Sequence, residues 1–169
     1  MGELPQSMGL TRAGARPGDD IWVSGCVGGA WAALMHRWGK LTLDARVFPS
    51  AALAMDRPNP RNALGTALLS SATACADISD GLAQDLGHIL ERSGVDADVL
   101  WDAVPKHPAL AALSQEQQVE AAMSGGDDYE LVFTAPADKR GLIEQASISP
   151  LTPVTRIGRI IEKKQSGAP

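Results

Sequence analysis

Short apolar runs alternate along this chain with longer stretches whose apolar residues recur at helical spacing, and Gly or Pro punctuates the joins. That alternation predicts α and β elements together rather than one kind alone. Ile21-Trp22-Val23-Ser24-Gly25 follows a Pro-Gly turn and has strand composition. Beyond the glycine-containing segment Gly25–Gly29, Trp31, Leu34, Met35 and Trp38 share one face of a helix over Ala30–Trp38, which Gly39 stops. This helix is expected to face the core, with Trp22, Trp31 and Trp38 as packing residues. Asn59-Pro60 reads as the N-cap and first turn of a helix through Ala72, with Leu64 and Leu68 on one face. Ala74–Ser79 is small and β-tolerant and leads into Asp80-Gly81 and a helix lined by Leu82, Leu86, Ile89 and Leu90, ended by Ser93-Gly94. Further on, Val95–Val104 reads as a strand, and Pro108–Leu113 and Glu116–Met123 as short helices. Tyr129–Thr134 is the clearest strand, Pro136–Ala146 is helical, Val154–Ile161 is a last strand, and Glu162–Pro169 is a polar, frayed tail.

Composition narrows what such a chain can do. Its 169 residues suffice to bury a real core, and 44% hydrophobic with 21% charged residues describes a folded globule, not a disordered or membrane chain. One domain is expected over residues 1–161. The net charge of -5, without a basic stripe, argues against nucleic acid as a partner. No apolar stretch of about 18 residues and no signal-like N-terminus occur, so no membrane is expected either. Cys26 and Cys75 lie far apart with no CxxC spacing, which predicts free buried thiols and a reducing cytoplasm.

Two acidic stretches carry the candidate chemistry. Asp77-Ile78-Ser79-Asp80-Gly81 puts two carboxylates and a hydroxyl where a strand ends and a helix begins. Strand periodicity sends Asp77 and Ser79 to one side, Asp80 opens the helix, and Gly81 allows close approach to the backbone. Helix N–H groups attract phosphate but carboxylates repel it, so the pair implies a bridging Mg²⁺. The bland alternative is an N-cap beside a surface aspartate. Ser124-Gly125-Gly126-Asp127-Asp128-Tyr129-Glu130 crowds three carboxylates at a strand entry behind paired glycines. Asp127 or Asp128 can accept from a substrate amine or hold a metal, or the stretch is a solvated acidic turn. His36, His88 and His107 lack ligand spacing, and Arg12, Arg16 and Arg46 read as surface charges. Gly25–Gly29 lacks the Lys-Ser/Thr of a P-loop and reads as a tight turn.

The order of motifs is more specific than any one of them: L-T-R-A-G-A-R-P-G-D, V-S-G, R-P-N-P-R, D-I-S-D-G-L-x-x-D-L-G-H-I and S-G-G-D-D-Y-E-L-x-F. From Gly2 to Ile161 this order resembles the C-terminal half of thiamine-monophosphate kinase, in the superfamily of aminoimidazole-ribonucleotide synthetase. The resemblance implies an α+β domain with one mixed β-sheet flanked by helices, distantly ferredoxin-like. It implies transfer of the γ-phosphoryl of ATP to thiamine monophosphate with several Mg²⁺ ions. By motif position Asp77 and Asp80 would ligate Mg²⁺, Ser79 would contact the nucleotide, and Asp127 would bind the thiamine end of the substrate. No role is carried onto Asp128 or Glu130.

The departures set further expectations. The family's N-terminal half, with more aspartates for Mg²⁺, much of the ATP pocket and the dimer surface, has no counterpart here, nor does its last segment, which bears an aromatic residue on the substrate. Cys26 and Gly29 stand where the family carries threonine and aspartate. The chain alone is therefore expected to lack turnover, to partner an N-terminal half, and to form a homodimer or otherwise self-associate, or else to show an apolar patch near Ile78 and the first helix. The alternatives are a non-catalytic binding or assembly module or relic half and, less favoured, a ring-closing ATP-dependent synthetase.

Overall fold

The computed structural model describes residues 9–164, which form one five-stranded sheet with helices on both faces. In chain order the main elements are β1 (Asp20–Ser24), α1 (Gly29–Arg37), α2 (Phe48–Asp56), α3 (Asn62–Ala67), β2 (Ala74–Ile78), α4 (Leu82–Ser93), β3 (Val95–Val99), α5 (Gln115–Val119), β4 (Glu130–Ala135), α6 (Arg140–Ile148) and β5 (Val154–Glu162). The strands lie in the order β2-β4-β1-β5-β3. The class is α+β as expected, and the strand directions are simpler than a mixed sheet: all four ladders are antiparallel.

Alternation along the strands divides the core in two. Ile21, Val23, Ala74, Ala76, Ile78 and Val132 point to one face, where they pack with residues of α1, α2 and α4. Trp22, Cys75 and Phe133 point to the other, against Leu64 and Leu68 from α3 and its C-cap, and Ile143 of α6. Trp22 and Phe133 stack there with centroids 6.4 Å apart. Between Ile21 and Trp22 the β1–β5 register shifts by one residue. That bulge lets Ile157 and Ile160, three apart, both face the first core.

Several elements differ from the sequence reading. Helix α2 was not anticipated, because its Phe-Pro-Ser-Ala-Ala-Leu-Ala-Met run is apolar on most sides and shows no clear 3.6-residue stripe. Helix α3 starts at Asn62 behind Arg61, so Asn59-Pro60 belongs to the preceding turn and caps nothing. Strand β3 stops at Val99, and Trp101–Ala103 forms a 3₁₀ turn instead of continuing it. Helix α5 opens on a Ser114/Gln117 capping box and runs into a π-helical segment, Glu120–Ser124, directly before the second acidic stretch. A 3₁₀ turn at Ala137–Lys139 precedes α6. Glu162 is the last residue of β5 rather than the first of a tail, and 165–169 lie outside the described residues. Trp38 is 59% exposed and lies under Lys40, so it is not a core residue. Ile78 itself is fully buried, while Trp38 at the end of the first helix is exposed. No described helix is long and apolar enough to cross a membrane.

Candidate functional site

The first acidic loop leaves β2 and enters α4. Gly81 sits at φ +111, a conformation closed to other residues, with Met123 O only 2.8 Å from where a Cβ would stand. The amides of Ser79 and Asp80 both donate to Asp85 Oδ2, at 2.9 and 3.0 Å, from a side chain that is 1% exposed. Asp85 thus folds back from the first turn of α4 and fixes the loop, while Asp77 and Asp80 remain exposed. Among the described residues neither is in an ion pair; Asp80 accepts only a 3.3 Å bond from Gln84.

The second acidic loop runs from the π-helical segment into β4 and is laid directly on the first. Asp127 N donates to Ser79 O at 3.0 Å, and Tyr129 N donates to Ile78 O at 2.8 Å. The approach is so close that a Cβ on Gly126 would stand 2.3 Å from Ser79 O. Asp127 and Tyr129 both adopt left-handed backbone conformations, at φ 65 and 51. The side chains alternate: Asp127 and Tyr129 are exposed, Asp128 and Glu130 buried.

Each buried carboxylate has its own partner. Gly28 N, at the start of α1, donates to both oxygens of Asp128, at 3.0 and 2.8 Å. Burial nevertheless pushes the Asp128 carboxyl up to about 7, against the lowering by amides of Gly28, Ala30 and Gly29. Glu130 forms a bidentate pair with Arg61, at 2.7 and 2.6 Å, and accepts a 2.5 Å bond from Ser24 Oγ. Burial, reinforced by Glu130 and Asp128, pushes the Cys26 thiol up to about 11, and Cys26 and Cys75 are both free thiols.

These contacts bring Asp77, Ser79, Asp80 and Asp127 to one end of the sheet. The Tyr129 phenol donates to Asp127 Oδ1 at 3.2 Å, and that bond and the Asp127 charge, with smaller effects of Asp77 and Asp80, raise its pKa above the usual range. A cleft of about 1150 Å³ opens beside them, between β2, α3 and residues 10–12, with Arg61, Asp77, Tyr129 and Leu131 in its wall. The sequence reading missed Asp85, the Arg61–Glu130 pair and this cleft. Asp85 stands in the quoted D-I-S-D-G-L-x-x-D run and could have been found as a carboxylate in a helix first turn; nothing local pairs Arg61 with Glu130. His36 and His107 accept backbone bonds from Leu43 and Ala109. A Cβ at Gly29 would stand 2.9 Å from the buried His107 ring, so an aspartate there would need His107 to move.

Whether Mg²⁺ fits can be judged from the donors. Asp77 and Asp80 offer hard carboxylate oxygens outside any ion pair among the described residues, as suits Mg²⁺. Among the described residues no three His, Cys, Asp or Glu side chains are grouped into a complete metal site. In donor chemistry the pair would supply part of a shell, of the kind Mg²⁺ completes with water and phosphate oxygens.

The family described as AIR synthase related protein, C-terminal domain, matches residues 16–168. The chain belongs to this family. Thiamine-monophosphate kinase of Salmonella typhimurium is 40% identical over 164 residues, covering 94% of this chain and 50% of that protein. The Escherichia coli K12 protein of the same name is 38% identical over 161 residues, with the same coverage. Among solved structures, thiamine-monophosphate kinase from Stenotrophomonas maltophilia superposes with a TM-score of 0.89 at 42% identity, over 95% of this chain and 53% of that one. A structure of AaThiL complexed with AMPPCP and TMP superposes at 0.75 with 30% identity, over 92% and 48%. The chain therefore spans about half the length of the curated relatives it matches. The hydrogenase maturation protein HypE of E. coli, 19% identical with a TM-score of 0.72, shares the family's fold.

Proposed function

We propose that this chain is the C-terminal part of an ATP-dependent thiamine-monophosphate kinase, converting ATP and thiamine monophosphate to ADP and thiamine diphosphate. The observation that carries the reading is the backbone-to-backbone joining of the two acidic loops, which gathers Asp77, Ser79, Asp80 and Asp127 from positions fifty residues apart in the sequence. The relatives named thiamine-monophosphate kinase, and the similar structure of AaThiL complexed with AMPPCP and TMP, support it. In this reading Asp77 and Asp80 hold Mg²⁺, Ser79 contacts the nucleotide, and Asp127 accepts from the thiamine end of the substrate. Mg²⁺ bound there would neutralise charge between the phosphorylated reactants, which phosphoryl transfer needs more than a covalent nucleophile. Residues 1–161 act as one unit with an N-terminal half that completes the metal and nucleotide shells, within a homodimer. The two free thiols suit a reducing cytoplasm.

The test joins the chain to the N-terminal half of the Salmonella relative and measures ADP release. Release that depends on thiamine monophosphate, falls at least about a hundredfold in Asp77→Asn and Asp80→Asn, and is absent from the chain alone supports the reading. An assembly module would associate with the other half without either carboxylate affecting ADP release. Turnover of a purine-pathway intermediate in place of thiamine monophosphate would instead identify a ring-closing synthetase.

A further inference from the structure

The second acidic loop is gripped on its buried side by an ion pair that the proposed chemistry does not use. Arg61 Nε and Nη2 reach Glu130 Oε2 and Oε1 at 2.7 and 2.6 Å, and the two side chains are only 16% and 7% exposed. Ser24 Oγ donates to the same carboxylate at 2.5 Å and accepts from Leu131 N at 2.8 Å. Glu130 is thus fixed by three donated bonds from residues 69 and 106 positions away in the chain. Room for it is made by Gly25, where a Cβ would stand 2.0 Å from Glu130 Oε1.

A pair of this kind adds little to net stability, because the cost of desolvating both charges offsets most of their attraction. Its bidentate geometry does fix position. What it positions lies one residue upstream: Tyr129, and beyond it Asp127, both in left-handed conformations that persist only where the surroundings over-determine them. The Asp127 N–Ser79 O and Tyr129 N–Ile78 O bonds hold the loop from the β2 side, and the Arg61–Glu130 pair holds it from the α3 side. Arg61 and Tyr129 stand in the wall of the same cleft.

We infer that Arg61 and Glu130 are positioning residues, an ion-pair clamp between α3 and β4 that keeps Asp127 seated against Ser79 and Tyr129 against Ile78, aimed at the acceptor side of the site. That Asp127 meets the acceptor rests on the kinase reading above; that the clamp seats the loop does not.

Amide hydrogen exchange on the chain itself tests the clamp without any activity. In Arg61→Lys, which keeps the charge and loses the fork, the Asp127 and Tyr129 amides should exchange about tenfold faster, as for loss of one hydrogen bond, while the Val23 and Val132 amides keep their rates. Because Glu130→Gln alone leaves a buried guanidinium unpaired, the companion variant is Arg61→Met with Glu130→Leu, which removes both charges. It should melt cooperatively and show the same selective loss at Asp127 and Tyr129. Unchanged exchange at those two amides overturns the inference. So does uniform acceleration across the sheet, or loss of cooperative melting in both variants, since the pair would then be a folding element only. In the joined enzyme, Arg61→Lys should raise the acceptor KM and leave the ATP KM unchanged. Absence of all kinase activity there would count against the proposed reaction and leave the exchange result standing.

Discussion

The loop that leaves β2 and the loop that enters β4 meet backbone to backbone, yet they are held by contacts of very different reach. Ser79 and Asp80 are fixed by Asp85, six and five residues on. Asp128 and Glu130 are fixed by Gly28, Arg61 and Ser24, which lie 100, 69 and 106 residues away. The first loop is therefore a local device of a strand–helix junction, and the second takes shape only when the rest of the fold has assembled. The largest effect is expected at the seam between them. Gly126→Ala places a methyl 2.3 Å from Ser79 O, a backbone atom that cannot swing aside, and should cost about 3 kcal/mol in chemical denaturation. Gly87→Ala, within α4 and with nothing inside 4 Å of the new methyl, is the control and should gain about 0.5–1 kcal/mol.

A smaller effect isolates the first loop. Asp85→Ala leaves the Ser79 and Asp80 amides without their acceptor and should cost about 2 kcal/mol, whereas Asp85→Asn keeps one carbonyl oxygen and should cost less. If the first loop is as local as its contacts indicate, exchange should rise at Ser79 and Asp80 and leave the Gly28 amide on Asp128 unaffected.

The same difference in reach decides what was legible in the sequence. The D-I-S-D-G junction could be read from strand periodicity and one glycine, because the forces acting on it come from its own neighbours. Asp77 and Asp80 are exposed, and Asp80 accepts a 3.3 Å bond from Gln84. In the second loop the residues were visible and their arrangement was not. No local pattern says that Glu130 turns inward to Arg61, that Asp128 meets the start of α1, or that two non-glycine residues accept positive φ after two glycines. The strands β1, β2, β4 and β5 were legible because alternation is a local signal. Their order and antiparallel pairing are set by contacts between distant segments, and came only from the structure. Helix α2 escaped for a third reason, since its small, apolar residues satisfy several patterns at once.

Asp128 gives the second loop a pH dependence. Its folded carboxyl holds a proton up to about 7, while the unfolded chain releases it near 3.8. The folded state therefore binds the extra proton between these values, and stability falls as pH rises through that window, levelling off above about 7. Asp128→Asn preserves an oxygen for the Gly28 amide and removes the charge. It should flatten that part of the pH profile and leave the protein about 1–2 kcal/mol more stable than the parent at pH 8, with no gain at pH 4. Denaturation curves at the two pH values check the sign directly.

The smallest expected effect concerns strain that the second loop stores and the first confines to a glycine. Gly81 takes φ +111 at no cost in side-chain clash, whereas Tyr129 takes φ +51 with an aromatic side chain that is 42% exposed and buries little in return. Asparagine tolerates the left-handed region far better than tyrosine. Tyr129→Asn should therefore stabilise the chain by up to about 1 kcal/mol, although it removes the phenol that bonds Asp127. A gain in melting temperature accompanied by a weaker acceptor KM in the joined enzyme would mean that the tyrosine is kept for its position at the cleft rather than for the fold. A loss of stability would mean that the ring's contacts outweigh the backbone cost, and the contrast between a strained and an unstrained loop would then disappear.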